Sequence, residues 1–226
     1  MLPNLFDHYQ ALDGVRLNIA VGQRGEVVGE SGTSKDVSNS DDRALLRHLR
    51  SLTDVIVTTG ATARAEGLKP SKYAPLVVLT RSKTLEGLDS LVTASDASRC
   101  TLLTTDENAT YLLSAISEIG SAIHVAAASQ LEPAEVLSWL RSKGHKRILV
   151  EFGPQLTELY SDAGLIDEIC LTETGLSAHA FENQKQGDTS GAVANSVPAF
   201  VRGRFVQRFN VVDATIGTRF AILERT

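Results

Sequence analysis

Short apolar runs alternate with amphipathic segments along most of the chain, and this alternation restricts the folds that the sequence can adopt. Runs of β-branched and aliphatic residues predict strands, and leucines recurring three and four residues apart predict helices. The predicted strands cover residues 15–21, 26–28, 54–59, 75–81, 100–104, 122–127, 146–151 and 166–172. Ser40 or Asp41 is predicted to cap a helix that runs to about Leu52, and further helices are predicted over residues 107–119, 132–143 and 154–163. Strands that alternate with helices of this length predict a mostly parallel sheet with helices on both faces.

The last part of the chain breaks this rhythm. Residues 173–198 are polar, rich in Gly, Ser and Asn, and without periodicity, which predicts a loop. Connections of that length tend to be functional or disordered. Residues 200–212 and 215–223 then predict two long strands joined tightly at Asp213 and Ala214, an antiparallel hairpin. No repeat or linker divides the chain, so we predict one domain over residues 1–226, with three α/β/α layers around a mostly parallel central sheet.

Composition excludes several classes of function. Lys and Arg total 22 against 27 Asp and Glu, a formal charge of −5, which argues against nucleic acid as the main partner. No run approaches the ~18 apolar residues of a membrane span. The first ten residues lack a signal-peptide pattern, so we expect a cytoplasmic protein without membrane contact. The five histidines and two cysteines are scattered, so neither a metal site nor a disulfide is expected.

The segment VTTGATARAE, residues 57–66, places polar groups at the end of a predicted strand. Gly60 permits a sharp turn, Thr59 and Thr62 offer hydroxyls, and Arg64 carries a fork of donors suited to a phosphate. Open α/β sheets bind ligands at the carboxyl ends of their parallel strands. A plain strand-to-helix turn would have a similar sequence, so this segment alone leaves the two interpretations open.

A second such segment, VEFGP, covers residues 150–154. Pro154 suits a first helical position, and Gly153 would leave backbone N–H groups open to an anion at the positive end of that helix. Glu151, at the end of the strand, is placed to act as an acceptor or an acid. The alternative is that Gly153 and Pro154 merely begin a helix. Asn18, inside the first apolar strand, must either bond a neighbouring backbone group or face a ligand.

Taken in order, these motifs resemble the reductase domain of bacterial riboflavin biosynthesis, which is the C-terminal domain of the bifunctional deaminase-reductase, and its stand-alone pyrimidine reductase relatives. The resemblance runs from about Val15 to Thr172. The matching positions are Arg16, Asn18, Ala20 and Gly25 of R-x-N-x-A-x-S-x-D-G; Ser38, Asp42 and Arg43 of S-x-x-x-D-R; Thr62, Arg64, Ala65 and Glu66 of V-G-x-G-T-x-R-A-D/E; residues 146–154, similar to R-x-L-V-E-G-G-P; and residues 164–172, similar to G-L-V-D-E-x-x-L-T.

The resemblance implies a dihydrofolate-reductase-like fold and NADPH-dependent reduction of a phosphoribosylamino-pyrimidine to its ribitylamino form. It also implies a phosphorylated small-molecule substrate and a homodimer in which the terminal hairpin takes part. The resemblance carries over to Gly60, Thr62, Gly153 and Pro154 at the cofactor and places Glu66 and Glu151 near cofactor and substrate. From this and the residue patterns above, we assign Thr59, Gly60, Thr62, Arg64, Gly153 and Pro154 to the cofactor, Asn18 and Arg43 to the substrate, and Glu66 or Glu151 as proton donor.

Several positions depart from the family pattern. Arg24 replaces the family's acid, and Thr59 and Ala61 replace two glycines. Phe152 replaces the first glycine of Gly-Gly-Pro and would bring a bulky ring near a cofactor phosphate. Two alternatives follow: a reductase of another carbonyl, imine or pteridine-like substrate, or a non-catalytic nucleotide-binding paralogue, to which Arg24, Thr59 and Phe152 point.

Overall fold

The computed structural model describes residues 4–176, 204–213 and 215–226. Within these ranges the chain forms nine strands and six α-helices. The strands are β1 (Gly14–Val21), β2 (Val55–Thr59), β3 (Leu76–Leu79), β4 (Cys100–Thr105), β5 (His124–Ala128), β6 (Arg147–Glu151), β7 (Glu168–Glu173), β8 (Phe205–Asp213) and β9 (Thr218–Arg225). The helices are α1 (Ser40–Ser51), α2 (Gly60–Glu66), α3 (Asp89–Val92), α4 (Asp106–Ile119), α5 (Pro133–Ser142) and α6 (Pro154–Asp162).

All nine strands join one sheet in the order β5-β4-β3-β2-β6-β1-β7-β9-β8. Strands β1 to β7 run parallel, whereas β9 pairs antiparallel with both β7 and β8. The predicted mostly parallel sheet with a C-terminal antiparallel hairpin is therefore confirmed. Because the parallel strands share one direction, their carboxyl ends all lie along one edge of the sheet.

Two apolar cores lie on opposite faces of the sheet. Strand β1 alternates between them: Val15, Leu17 and Ile19 join the core that includes α5 and α6 residues. Arg16 and Asn18 point to the other face, where Leu45 and Leu49 of α1 pack with residues of α4. The three-layer prediction is thus confirmed, and α1 covers the polar side chains of β1.

Three local expectations are wrong. Residues 26–28 form no strand, because the chain turns there: Gly22 N donates to Glu26 O at 2.8 Å. Helix α1 is capped by Asn39 and not by Ser40 or Asp41, since the Asn39 side chain accepts from two backbone N–H groups of the first turn. The hairpin connection is longer than predicted, because Asp213 pairs with Thr218 across the two strands.

Glu173, the first residue of the predicted 173–198 loop, is the last residue of β7. Residues 177–198 of that loop lie outside the part of the chain that the structure describes.

A buried ion-pair cluster ties the amino ends of β1 and β7 to the hairpin. Arg16 Nε donates to Glu168 Oε1 at 2.6 Å, and Arg208 Nη2 donates to Glu168 Oε2 at 3.0 Å. Arg16 also donates to Gln10 O at 2.7 Å. The side chains of Arg16 and Glu168 are only 8% and 4% exposed. A carboxylate at this depth is tolerated because both of its oxygens are paired.

We expect Arg16→Met to lower the free energy of unfolding by about 3 kcal/mol, because it leaves the buried Glu168 carboxylate with Arg208 as its remaining charged partner. Urea denaturation followed by circular dichroism measures this loss. Arg204→Met is the matched control, since it removes an exposed ion pair with Asp162 and should cost less than about 1 kcal/mol. Equal effects of the two substitutions would show that the buried cluster does not stabilise the fold.

Candidate functional site

The two motif loops lie side by side at the carboxyl edge of the sheet. Strand β6 pairs with β2 on one side and with β1 on the other. Thr59 ends β2 and Glu151 ends β6, and α2 and α6 begin just beyond them. Thr58 Oγ1 donates to Glu151 O at 2.8 Å across the two strand ends. Residues far apart in sequence therefore converge as the motifs predict.

The turn after β2 is rigid. Thr59 caps α2, because its hydroxyl oxygen accepts from Thr62 N at 3.0 Å and its hydroxyl donates to Thr62 Oγ1 at 3.0 Å. A Cβ on Gly60 would lie 2.7 Å from Arg64 Nη1 and 3.0 Å from Thr80 Oγ1, so a side chain there would force a shift. The departure at Thr59 from the family's glycine is thus a helix cap. The periodicity of the sequence missed α2, which is only seven residues long.

The Arg64 guanidinium holds the segment that follows β3. Its Nε donates to Glu86 O at 2.8 Å, and its Nη2 donates to Thr84 O at 3.1 Å. A Cβ on Gly87 would meet the Arg64 side chain at 3.2 Å, so the segment packs closely on it. Two of the donors that the sequence analysis assigned to a phosphate are therefore used on backbone carbonyls.

The loop after β6 is open. Gly153 precedes Pro154, the first residue of α6, and provides no side chain to cap the helix. A Cβ on Gly153 would meet nothing within 4 Å. Phe152 does not obstruct this space, because its ring is buried and packs against Tyr160, with 4.8 Å between ring centroids. The alternation of β6 turns Phe152 into the core, and the open N-terminal turn of α6 suits an anion.

Glu151 is paired with a residue that the sequence analysis missed. Arg50 Nε and Nη2 donate to the two carboxylate oxygens at 2.8 Å and 2.6 Å. The pair is largely enclosed, with the side chains 24% and 14% exposed. Arg43, Arg47 and Arg50 recur at four- and three-residue spacing on α1, and this spacing was the signal that could have identified Arg50.

The side chains of Glu66 and Asn18 differ in their hydrogen bonding. Glu66 Oε1 accepts from Ser34 N at 2.6 Å, which ties the end of α2 to the connection between β1 and α1. Asn18 Oδ1 is buried and has no hydrogen-bond partner among the described residues. The first interpretation of Asn18 is a hydrogen bond to a neighbouring backbone group, and Oδ1 makes none among the described residues. This oxygen is therefore left for a ligand or a water.

A basic groove of about 400 Å³ lies between α1 and the connection from α2 to β3. Five cationic side chains and no acidic ones line it, and Ile56, Leu76 and Tyr73 provide apolar contacts. The cationic residues are Arg43, Arg47, Arg50, Lys69 and Lys72. Arg50 connects the groove to the carboxyl end of β6 through Glu151. A local field of this sign in a chain of net charge −5 suits an anionic ligand.

The described ranges meet neither the requirements of a metal site nor those of a membrane-spanning helix. Residues 4–176, 204–213 and 215–226 contain no group of three or more His, Cys, Asp or Glu side chains arranged to hold a metal ion. In the same ranges, none of the helices combines the length and the apolar character needed to cross a bilayer.

Comparison with known proteins gives one family. The family model of the RibD C-terminal domain matches residues 14–174. A search of curated protein sequences finds no match.

Solved structures share the fold at low sequence identity. A pyrimidine reductase-like protein from Corynebacterium diphtheriae superposes with a TM-score of 0.71 at 18% identity, over 100% of this chain and 95% of that one. The riboflavin biosynthesis reductase Rib7 of Saccharomyces cerevisiae gives 0.61 at 12% identity, over 99% of both chains. A dihydrofolate reductase from Enterococcus faecalis, solved with NADP(H), gives 0.50 at 12% identity over 95% and 97%. The predicted dihydrofolate-reductase-like fold is confirmed.

We expect inorganic pyrophosphate to bind the basic groove and to raise the melting temperature of the protein. The double variant Lys69→Gln/Lys72→Gln should lose at least half of this increase, because it removes two of the five cations that line the groove. Differential scanning fluorimetry over a pyrophosphate series measures the effect. The control is Arg141→Gln/Lys143→Gln at the end of α5, and an equal loss in both variants would assign the effect to net charge alone.

Proposed function

Because the chain belongs to the RibD C-terminal domain family, a family of riboflavin-pathway reductases, we propose that it reduces a phosphoribosylamino-pyrimidine to the ribitylamino-pyrimidine with NADPH. One observation carries this proposal. The Arg50–Glu151 ion pair links the basic groove, which suits a phosphate, to the edge of the sheet where the Gly153 loop is open. An anionic substrate and an anionic dinucleotide could therefore bind next to each other.

The residues at the carboxyl edge fit a dinucleotide. Gly153 leaves room that a Cβ would fill, and α6 begins there with its positive end uncapped by a side chain. In the proposal, Gly153 and Pro154 face the pyrophosphate, while Thr59, Gly60 and Thr62 border the cofactor from the turn after β2. Arg64 keeps the adjoining segment in place and offers its remaining N–H donors. When bound, the cofactor supplies the hydride, and the protein supplies orientation and charge.

The basic groove would hold the substrate phosphate. Arg43, Lys69 and Lys72 line it, and the Lys72 ammonium lies 5.1 Å from the centroid of the Tyr73 ring. Asn18, whose side-chain oxygen is unpartnered among the described residues, would meet a donor group of the substrate. Glu66 and Glu151, proposed as proton donors by resemblance, are both engaged as acceptors, and Glu151 has both oxygens on Arg50. We therefore assign Glu151 mainly to orienting Arg50.

Titration of the protein with NADPH, followed by nucleotide fluorescence, tests the cofactor assignment. Wild type should bind NADPH, and Gly153→Val should lose at least tenfold in affinity, because its side chain fills the open loop. The backbone at Gly153, with φ −70° and ψ 168°, accepts Val without strain, so the variant should keep its melting temperature. Ala163→Val, exposed at the other end of α6, is the control. No binding at millimolar NADPH would favour the non-catalytic alternative.

Turnover identifies the substrate. NADPH should be consumed with the phosphoribosylamino-pyrimidine, and Lys69→Gln/Lys72→Gln should raise KM about tenfold or more while kcat changes little, since the groove holds the phosphate and not the reacting carbon. Consumption only with a pteridine, or with a non-phosphorylated carbonyl compound, would instead identify a reductase of another substrate. We also propose the homodimer implied by the family, with β8, the outermost strand, taking part.

A further inference from the structure

We propose that Asp42, acting through the hydroxyl of Ser38, holds the proton that the reduction consumes; this inference rests on the proposed reductase function. Both residues belong to the S-x-x-x-D-R segment, and neither has a role in the cofactor and phosphate assignments. Ser38 Oγ donates to Asp42 Oδ2 at 2.6 Å. Asp42 is buried, with 4% of its surface exposed. The structure thus joins an enclosed carboxyl to a half-buried hydroxyl at the start of α1.

The Asp42 carboxyl faces the side of the sheet that carries Thr172 and Asn18. The Thr172 hydroxyl is close enough to act on the Asp42 carboxyl, whereas Asn18 Oδ1 is buried and makes no hydrogen bond within the described part of the chain. Thr172 and Asn18 point to the same face of the sheet, because β1 and β7 pair in the register Asn18–Cys170 and Ala20–Thr172. Burial of a carboxyl on this face favours its neutral, protonated form, because a charged carboxylate is costly away from water.

The groups facing Asp42 come from several elements. Burial raises the pKa of the Asp42 carboxyl above its usual range, while the hydroxyls of Ser38 and Thr172 and the Arg43 guanidinium oppose the increase. The Glu151 carboxylate of β6 adds to it. From the N-terminal segment Tyr9 faces the same cluster, and burial, then nearby charges that include Asp42, raise the pKa of its phenol. Burial outweighs the opposing contacts, so the Asp42 carboxyl keeps its proton to higher pH than an exposed aspartate does.

The arrangement sets a two-step proton path. When bound, the reduced nicotinamide would supply a hydride with its two electrons to the imine or carbonyl carbon of the ring-opened sugar. The π pair of that double bond would then need a proton at its nitrogen or oxygen. With a proton on Asp42 Oδ2, the 2.6 Å hydrogen bond would run from Asp42 to Ser38 Oγ, which frees the Ser38 hydroxyl proton. Ser38 would then give that proton to the nitrogen or oxygen of the substrate and take the proton of Asp42 Oδ2 in exchange. Asp42 is left as a carboxylate that regains a proton from solvent by the same path. Asp42 touches no substrate, so its role is to position the proton, whereas Ser38 would be catalytic.

The test uses Asp42→Asn, which keeps the shape of the side chain. We expect kcat/KM to fall about 100-fold, as for loss of general acid catalysis. The affinity for NADPH should stay within about twofold of wild type, because Asp42 lies outside the cofactor residues. In wild type kcat/KM should fall as the pH rises through the pKa of Asp42, and this fall should be absent from the residual activity of the variant. An unchanged rate and pH profile would overturn the proposal.

Stability separates this role from a structural one. Because burial raises the pKa of folded Asp42, its ionisation costs folding free energy as the pH rises through that pKa. Asp42→Asn has no such cost, so its melting temperature should equal or exceed that of wild type at pH 8. Ser38→Ala should lose the rate as strongly as Asp42→Asn, and Ser38→Thr should restore it. Full activity in Ser38→Ala would contradict the path.

An infrared titration of the wild-type protein gives a readout that does not depend on turnover or on a variant that folds. The C=O band of a protonated carboxyl should persist into the pH range of catalysis, and a carboxyl that is ionised throughout this range would overturn the proposal. The Glu151→Gln variant should keep the band, which separates Asp42 from the neighbouring carboxylate. If the band is present but the pyrimidine is not reduced, the proposed function fails while the protonated Asp42 stands.

Discussion

The pairing of β6 between β1 and β2 is the constraint on which the rest of the site depends. Strand β6 follows β2 by almost ninety residues, yet its backbone hydrogen bonds insert it between the first two strands of the chain. Its parallel register brings Glu151 beside Thr58, and thus the Gly153 loop beside the turn at Thr59. If β6 lay elsewhere in the sheet, the two motif loops would not adjoin and the Arg50–Glu151 pair would not form.

Polar groups buried on the α1 face give the sheet two different ends. At the amino ends of β1 and β7, Glu168 has both oxygens paired with arginines, as a structural ion pair requires. Farther along these strands, Asn18 keeps an unpartnered side-chain oxygen within the described part of the chain, and Thr172 faces the Asp42 carboxyl of α1.

Sequence patterns predicted most of the elements because long apolar strands and amphipathic helices have a clear period. They failed where the element is short or where a turn forms by backbone hydrogen bonds, as at α2 and at residues 26–28. The motif loops at Thr59 and Gly153 could be predicted, since glycine and proline positions fix local geometry. Arg50 and the Ser38–Asp42 pair could not be assigned contacts, because their partners lie on other elements.

By itself the sequence determined the order of strands and helices, the parallel character of the sheet and the two loops at its carboxyl edge. These features follow from local periodicity and from residues with special backbone preferences. Only the tertiary structure decided which charges meet. It directed Arg64 to backbone carbonyls, turned the Phe152 ring into the core, and gathered five cations into one groove of an acidic chain. Side-chain partners depend on distances between elements, and no local pattern encodes those distances.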